Sequence, residues 1–434
     1  MKIARLALGF ALLGTLSARV AWAATVCDVP CAAATGPCSS GCEDPCGCDQ
    51  CGLFGRWLAR DPWKLPQPCV LQCLGIKASG WLQAGITFNA EDPADRFNGP
   101  ILMNDRDGEF QMHQVWLSFE RPCDTGGCGV DVGGRVDLFY GTDFRFAVCQ
   151  GQGLEDKING LDQLYGLGIP LFYLEAAINK LSVKIGRMGG ILGYEMIPPM
   201  GSFFYSHSYT ICYTEPLLIT GLMGKYPLSD RWTALAGFHR GVRRFEDNNN
   251  ELNFQGGLIW TGRDKGTSLA YAVEVGPNDD EGLRDEYVHS LVFKHQLSKK
   301  ALYVIQNNVG FLNGVAGEED AEWYSIVQYY LYTINPCWSA GLRVEWFRDD
   351  DGVRVAGLGN LPNNRGWMGA PGFEGNFSEV TIGLNWKPKP NVLVRPEARW
   401  DVYSGSRNLA GEFPFDGGQS KNQFTFATDV VVMF

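Results

Sequence analysis

The sequence predicts an all-β protein: a closed antiparallel transmembrane β-barrel of about 16 strands, with short periplasmic turns and long external loops. Three observations predict this fold. The chain begins with an export signal. After that signal, no apolar run reaches the roughly 18 residues that a transmembrane helix needs. From residue 76 to the end, strand-like segments are joined by connections that alternate between short and long.

Three regions divide the chain. Residues 1–23 have the features of a signal peptide, because Lys2 and Arg5 precede an apolar stretch and Ala21-Trp22-Ala23 forms a small-x-small cleavage site. Residues 24–75 form a Cys-rich leader without apolar periodicity, which we interpret as a periplasmic extension. Residues 76–434 form the predicted barrel.

Charge and motif content narrow the range of activities. The 434-residue chain carries a formal charge of −11, which argues against nucleic acid as a partner because phosphate binding requires cations. The 5 histidines include no pair with metal-ligand spacing. Ser202 and Ser206 lie near His207, but no G-x-S-x-G elbow surrounds them. The sequence therefore predicts no metal, no cofactor and no catalytic activity.

Cysteines are concentrated near the N-terminus. The chain has 14, and seven of them lie in the leader from Cys27 to Cys51. Disulfides in an oxidising compartment would explain this segment, and a metal or iron–sulfur site at Cys48-Asp49-Gln50-Cys51 is an alternative. Three pairs are candidates among the later cysteines, although spacing cannot establish their connectivity: Cys69 with Cys73, Cys123 with Cys128, and Cys149 with Cys212.

The strand segments are recognised by side chains that alternate between two faces. Only Asn179-Lys180 separates the fourth segment from the fifth, as in a two-residue hairpin. The predicted segments are 76–89, 110–120, 130–142, 171–178, 181–187, 215–226, 232–240, 253–261, 267–275, 287–297, 301–313, 321–334, 338–348, 377–387, 391–403 and 423–434.

The connections between these segments alternate in length. Those after even-numbered segments are short, for example 262–266 and 298–300. Those after odd-numbered segments are mostly long and polar, for example 90–109 and 349–376. The connection 314–320 departs from the rule because it is short where a long one is expected. This alternation places all short turns on one rim, as in bacterial outer-membrane barrels.

The last segment, QFTFATDVVVMF, ends on the final residue of the chain. One face is aromatic or aliphatic up to Phe434, whereas the other carries Asp429. A terminal aromatic strand resembles the signal that the barrel-assembly machinery of outer membranes reads. Phe434 is the predicted assembly signal, and Asp429 is predicted to face the lumen.

Charged residues that alternate along single strands predict a water-filled interior. Four ionisable residues share one face of segment 391–403, and burying them in a dry core would carry a large desolvation cost. We therefore expect such residues to line a pore. The predicted pore-lining residues are Arg135, Asp137, Lys184, Arg343, Glu345, Arg395, Glu397, Arg399 and Asp401.

Three sequence pieces narrow the class of barrel. They are VWLSFERP at residues 115–122, VDLFYGTD at 136–143 and KIGRMGGILGYE at 184–195. With them, the chain from about residue 81 to 434 resembles the β-barrel porin-2 (OmpL-like) family of planctomycete-type bacteria. The resemblance implies a passive outer-membrane pore for small hydrophilic solutes or ions, surrounded by outer-membrane lipid. It implies nothing about which solute passes.

Porin analogy adds two expectations. The connection 188–214 is unusually apolar for an external loop, so it is predicted to fold into the barrel and narrow it, with packing under a neighbouring loop as the alternative. A homotrimer is the second expectation. Other functions remain open: a structural or adhesive protein cross-linked through its cysteines, or a barrel enzyme. The predicted constriction residues are Ile191, Tyr194, Glu195, Phe203, Phe204 and Tyr205.

Overall fold

The protein is a closed antiparallel β-barrel. The computed structural model describes residues 64–147, 154–160, 163–247, 249–278, 282–314, 320–355 and 372–434. Each strand pairs with the strands before and after it in the chain, and the last pairs with the first. Two short segments, β4 (Gly166–Gly168) and β5 (Phe172–Ile178), both pair with β3 (Val130–Gly141) and together count as one interrupted strand, so the barrel has 16 strands.

Seventeen strand segments build this wall in the residues that the structure describes. They are β1 (Lys77–Asn89), β2 (Phe110–Arg121), β3 (Val130–Gly141), β4 (Gly166–Gly168), β5 (Phe172–Ile178), β6 (Leu181–Gly189), β7 (Leu218–Pro227), β8 (Trp232–Val242), β9 (Asn253–Thr261), β10 (Thr267–Pro277), β11 (Asp285–Gln296), β12 (Ala301–Leu312), β13 (Ala321–Asn335), β14 (Trp338–Asp349), β15 (Gly375–Lys389), β16 (Val392–Gly405) and β17 (Asn422–Met433).

Helices are few and short in the part of the chain that the structure describes. They are α1 (Cys69–Cys73), α2 (Phe144–Ala147), α3 (Leu154–Asn159) and α4 (Tyr209–Thr214), with a 3₁₀ turn at Pro199–Gly201. Among these residues, no helix has the length and apolar character needed to cross a membrane.

The barrel closes between its first and last strands, as predicted. Nine residue pairs align β1 with β17, from Trp81 opposite Met433 to Asn89 opposite Thr425. Phe434 extends the pairing, because its backbone exchanges two hydrogen bonds of 2.9 Å with Gly80. The aromatic ring of Phe434 lies over this glycine, where a Cβ atom would approach the ring to 2.6 Å.

The rims also follow the predicted alternation. Turns such as 179–180, 228–231 and 390–391 lie on one rim, which we call the short-turn rim, together with the start of β1 and the end of β17. The strand ends that the long connections join lie on the opposite rim, the long-loop rim. The short connection 313–320 joins β12 to β13 on that rim, so it remains an exception in length but not in position.

Strand faces separate by polarity. In β16, the ionisable side chains are buried inside the barrel, whereas Trp400 on the opposite face is 53% exposed. Apolar side chains such as Ile382 and Phe426 are likewise exposed on the outer surface, as a lipid-facing wall requires. Asp429 is fully buried on the inner face, so the predicted register of the last strand is correct.

The predicted disulfide pairs are wrong. Cys69, Cys123, Cys128 and Cys212 are free thiols, which removes all three candidate pairs, and Cys149 lies outside the described residues. The Cys123 thiol instead donates a hydrogen bond to the Glu175 carbonyl oxygen at 3.3 Å. Helix α1 places Cys69 and Cys73 about 6 Å apart along its axis, near the limit of disulfide geometry. Cys337, on the turn between β13 and β14, is disulfide-bonded.

Candidate functional site

A long connection occupies the barrel interior. Residues 190–217, which join β6 to β7, form what we call the inward loop. Its two ends meet at the wall, since the Gly190 N–H donates to the Leu217 carbonyl oxygen at 3.2 Å. A Cβ atom at position 190 would lie 1.9 Å from the Pro216 carbonyl oxygen, so only glycine fits this close approach. The chain therefore enters and leaves the interior at one point.

Carboxylates of the barrel wall bind backbone N–H groups of the inward loop. Glu397 on β16 accepts hydrogen bonds from the N–H groups of Tyr205 and Ser206 at 2.8 and 3.0 Å. Glu345 on β14 accepts from the N–H groups of Tyr209 and Thr210, both at 2.7 Å. The latter two groups begin α4, where a helix has no internal acceptors for its N–H groups. The wall thus satisfies backbone donors that the loop cannot satisfy itself.

Arginines of the same wall bind carbonyl groups of the inward loop. Arg395 donates to the carbonyl oxygens of Pro199, Ser202 and Phe204. Arg343 donates to the Ser206 carbonyl oxygen at 2.7 Å. Arg399 donates to the His207 carbonyl oxygen at 2.6 Å. Each guanidinium also pairs with a wall carboxylate, so the charges remain compensated although they are buried.

Glu195 is the charged centre of the loop itself. Its carboxylate accepts hydrogen bonds from Arg343 Nη1 at 3.0 Å and from the Tyr329 hydroxyl at 2.8 Å. It also lies 3.2 Å from His207 Nδ1 and accepts from the Ser208 N–H group. Burial opposes ionisation, but the Arg343 charge and these hydrogen bonds hold the pKa of Glu195 at about 2. The loop and β13–β14 are therefore joined by an ionised carboxylate.

A second buried network anchors the inward loop to β2, on the other side of the seam where β17 pairs with β1. The Tyr205 hydroxyl lies 2.5 Å from His113 Nε2 on β2, and His113 Nδ1 lies 2.8 Å from Asp143 Oδ1. All three side chains are almost completely buried. Gly85 on β1 makes room for the tyrosine, since a Cβ atom there would lie 2.7 Å from its hydroxyl oxygen.

Cavities border the inward loop in the described part of the chain, and two of them share lining residues. The larger, which we call the large cavity, has a volume of about 410 Å³ and is bounded by the loop and by β2 to β8. It extends toward the short-turn rim, where Lys225 lies near the end of β7. The second, the rim cavity, has a volume of about 200 Å³ and borders the long-loop rim near Arg354 and Glu286. Glu215 and Pro216 line both cavities.

The predicted pore-lining residues differ in whether they border a cavity. Arg135 and Lys184 line the large cavity, whereas Asp137 is fully buried and accepts a hydrogen bond from Trp116 Nε1. The others face the interior as predicted, but they do not border an open lumen, because the inward loop covers them. These buried residues are Arg343, Glu345, Arg395, Glu397, Arg399 and Asp401.

The six residues predicted for the constriction all lie inside the barrel. Ile191 and Glu195 line the large cavity. Phe204 packs with Val304 and Val327 of the wall, and Phe203 and Tyr194 pack against the same cluster. Tyr205 makes the histidine contact described above. These residues contact the barrel wall. The alternative expectation for this connection is that it packs under a neighbouring loop, and that expectation does not account for the wall contacts.

Sequence reasoning missed the residues that complete this interior. Glu379 on β15 pairs with Arg343. Glu379 and Thr381 share the buried face of this strand, so the alternation of side chains along β15 could have identified Glu379. Glu215 and His113 carried no such signal. Their neighbours inside the barrel lie far away in the sequence, as with Gln306 beside Glu215.

The barrel is closed and antiparallel, its outer surface is apolar, its short turns lie on one rim, and its inward loop leaves a cavity beside it. These features define the class of outer-membrane channels. The chain belongs to the family described as "Putative beta-barrel porin-2, OmpL-like", whose model matches residues 75–434. The protein is therefore a passive channel of the outer membrane.

Solved structures share the fold at low sequence identity. The outer-membrane channel DcaP of Acinetobacter baumannii is 11% identical, with a TM-score of 0.53 over 86% of this chain and 100% of that chain. An anion-selective porin from Comamonas acidovorans is 9% identical, with a TM-score of 0.54 over 83% and 99%. The trimer form of OmpT from Vibrio cholerae is 9% identical, with a TM-score of 0.52 over 83% and 99%. Comparison with curated proteins found no match.

Proposed function

We propose that small hydrophilic solutes and ions cross this channel along the side of the barrel that the inward loop leaves open. The single observation that carries the proposal is the asymmetry of the interior. Wall residues of β14 to β16 hold the loop through its backbone, whereas the large cavity persists between the loop and β2 to β8. The path is thus eccentric, and the loop is its constriction.

The lining of the large cavity supports the passage of small hydrophilic solutes and ions. Arg135, Glu175 and Lys184 supply charges of both signs from the wall, while Ile191 and Met196 supply an apolar surface from the loop. Lys184 Nζ lies 3.9 Å from Glu175 Oε2, so the two charges compensate each other partly. Such a lining selects by size and field rather than by a dedicated ligand site.

A bulky side chain in the large cavity tests the path. Ser182 on β6 lines this cavity, so Ser182→Trp should lower single-channel conductance in planar bilayers severalfold. Ser378 on β15 is exposed on the outer surface, and Ser378→Trp is the matched control that should leave conductance unchanged. Equal conductance of both variants and wild type, with normal heat-modifiable migration, would show that solutes take another route.

The contacts of Ser202 and Ser206, which the sequence offered as nucleophiles, support a non-catalytic role for both serines. The Ser202 hydroxyl donates to the Met196 carbonyl oxygen at 3.0 Å, and the Ser206 hydroxyl accepts from Arg343 at 3.1 Å. His207 contacts Glu195 rather than either serine hydroxyl. We infer that these groups position the loop.

We also propose that the barrel assembles as a homotrimer. The support is the trimer form of the structurally similar OmpT from Vibrio cholerae. Light scattering of the protein in detergent would measure the mass of the assembly. A mass of one chain, of 47.9 kDa before removal of the predicted signal peptide, would contradict the proposal.

A further inference from the structure

An acidic residue borders both cavities, and we call its position the junction. Glu215, the residue before Pro216 at the end of the inward loop, lines both the large cavity and the rim cavity. It is only 6% exposed. One cavity extends toward the short-turn rim and the other borders the long-loop rim, so a path along the barrel axis that used both would run beside Glu215 and Pro216.

The surrounding residues hold this carboxylate at the junction. Gln306 on β12 accepts the Tyr194 N–H group through Oε1 at 2.9 Å, so its Nε2 group is directed to Glu215 Oε1, at 2.5 Å. On the other side, a Cβ atom at Gly193 would lie 2.0 Å from Glu215 Oε2. Gly193 has a φ of +91°, which also favours glycine. Backbone and amide thus position Glu215 from two directions.

We propose that ions pass between the two cavities beside Glu215 and that its ionised carboxylate makes this passage prefer cations. The inference rests on the eccentric path proposed above and adds to it the residue that determines charge selectivity. A carboxylate at a narrow, weakly hydrated point attracts cations and repels anions more strongly than one in open water.

Protonation of Glu215 would remove that preference. Burial raises the pKa of Glu215 to about 8; the hydrogen bond from Gln306 opposes the rise, and the negative charges of Glu195 and Glu345 add to it. The junction is therefore mainly neutral at pH 6 and mainly charged at pH 9.

Other charged groups face the passage from both cavities. Those of the large cavity are Arg135, Glu175, Lys184, Glu195 and Lys225. Those of the rim cavity are Arg243, Glu274, Glu286 and Arg354. Because these groups lie to either side of the junction, a variant at Glu215 itself is needed to assign a change with pH.

Reversal potentials in asymmetric KCl, measured across planar bilayers at pH 6 and pH 9, test the inference. For wild type, we expect the ratio of potassium to chloride permeability to rise roughly tenfold with pH, because an attraction of about 1.4 kcal/mol corresponds to that factor. Glu215→Gln should keep the pH 6 ratio at both pH values. Glu215→Asp should retain a rise, and Glu412→Gln, on an exposed external loop, should behave like wild type.

A second variant protects the test against misfolding of the first. Gln306→Leu removes the hydrogen bond that stabilises the Glu215 carboxylate, so the midpoint of the permeability change should move to higher pH. An unchanged midpoint, or an undiminished rise in Glu215→Gln, would overturn the assignment to Glu215.

The outcomes separate this inference from the proposed path. If Ser182→Trp blocks current but wild type shows the same permeability ratio at both pH values, the path stands and the role of Glu215 is wrong. If neither Ser182→Trp nor Glu215→Gln alters a conducting barrel, both are wrong. A wild-type barrel that is electrically silent likewise overturns both.

Discussion

Arg395 on β16 and Asp429 on β17 form a buried ion pair inside the barrel, with Nη2 2.5 Å from Oδ2 and Nε 2.9 Å from Oδ1. The remaining nitrogen, Nη1, carries two hydrogens and lies within hydrogen-bond distance of three carbonyl oxygens of the inward loop. One guanidinium therefore joins the closing strand of the barrel to the inward loop. Few other side chains could do both, because arginine presents five donors in a planar arrangement.

Replacing this guanidinium should destabilise the protein and release the loop. Arg395→Met leaves Asp429 buried without its cation and should lower the free energy of unfolding by about 3–5 kcal/mol. Single-channel conductance should rise, because the loop loses its hydrogen bonds to Nη1 of this wall residue. Urea unfolding in detergent and bilayer recordings measure the two effects.

Two further variants control the Arg395 experiment. Arg407→Met, on an exposed external loop, should change neither quantity. Arg395→Met combined with Asp429→Asn should be more stable than Arg395→Met alone, since no uncompensated charge then remains buried. Wild-type stability and conductance in Arg395→Met would show that the loop is held by its other contacts.

The tyrosine–histidine contact should contribute to stability. Tyr205→Phe leaves His113 Nε2 buried without its partner and should lower the free energy of unfolding by about 1–3 kcal/mol. Tyr330→Phe on the outer face of β13 is the matched control, because the Tyr330 hydroxyl is exposed, and it should have little effect. Equal losses from the two substitutions in thermal unfolding would contradict a specific role for Tyr205.

Acid should weaken the attachment of the inward loop through Glu195. Its pKa is lowered from 4.5 to about 2 in the folded protein, so the unfolded chain binds this proton first as pH falls. The stabilisation is therefore complete above about pH 4.5 and is lost as pH falls to about 2. The shift corresponds to roughly 3 kcal/mol.

Glu195→Gln isolates this contribution from those of other carboxylates. The difference in unfolding free energy between wild type and Glu195→Gln should be largest near neutral pH and should shrink between pH 4.5 and 2. Denaturant titrations at a series of pH values measure it. A difference that does not vary with pH would mean that Glu195 acts through shape rather than through its charge.

The C-terminal residue should be needed for efficient assembly. Deleting Phe434 removes two backbone hydrogen bonds to Gly80 and the ring that covers it, so less heat-modifiable barrel should accumulate in outer membranes. Phe434→Ala keeps both backbone bonds and separates their effect from that of the ring. Normal accumulation of the deletion variant would contradict an assembly role for this residue.

Much of the wall was predictable because strand patterns are local. The predicted segment 253–261 coincides with β9 (Asn253–Thr261), and the predicted final segment, 423–434, differs from β17 (Asn422–Met433) by one residue at each end. Alternation with a period of two needs only neighbouring residues, and it correctly placed Asp429 inside. The cysteine pairs were wrong because sequence spacing says little about thiol geometry.

The sequence by itself determined the class of fold, the strands, the rims and the face of each strand that turns inward, because each of these follows from short-range periodicity and connection length. Only the tertiary structure decided which inward charges border open space. Glu397 binds Tyr205 across 192 residues of chain, and the same kind of contact buries most of the charges predicted to line the pore. The position of the inward loop depends on contacts between residues that are far apart in the sequence, and no local sequence pattern encodes such contacts.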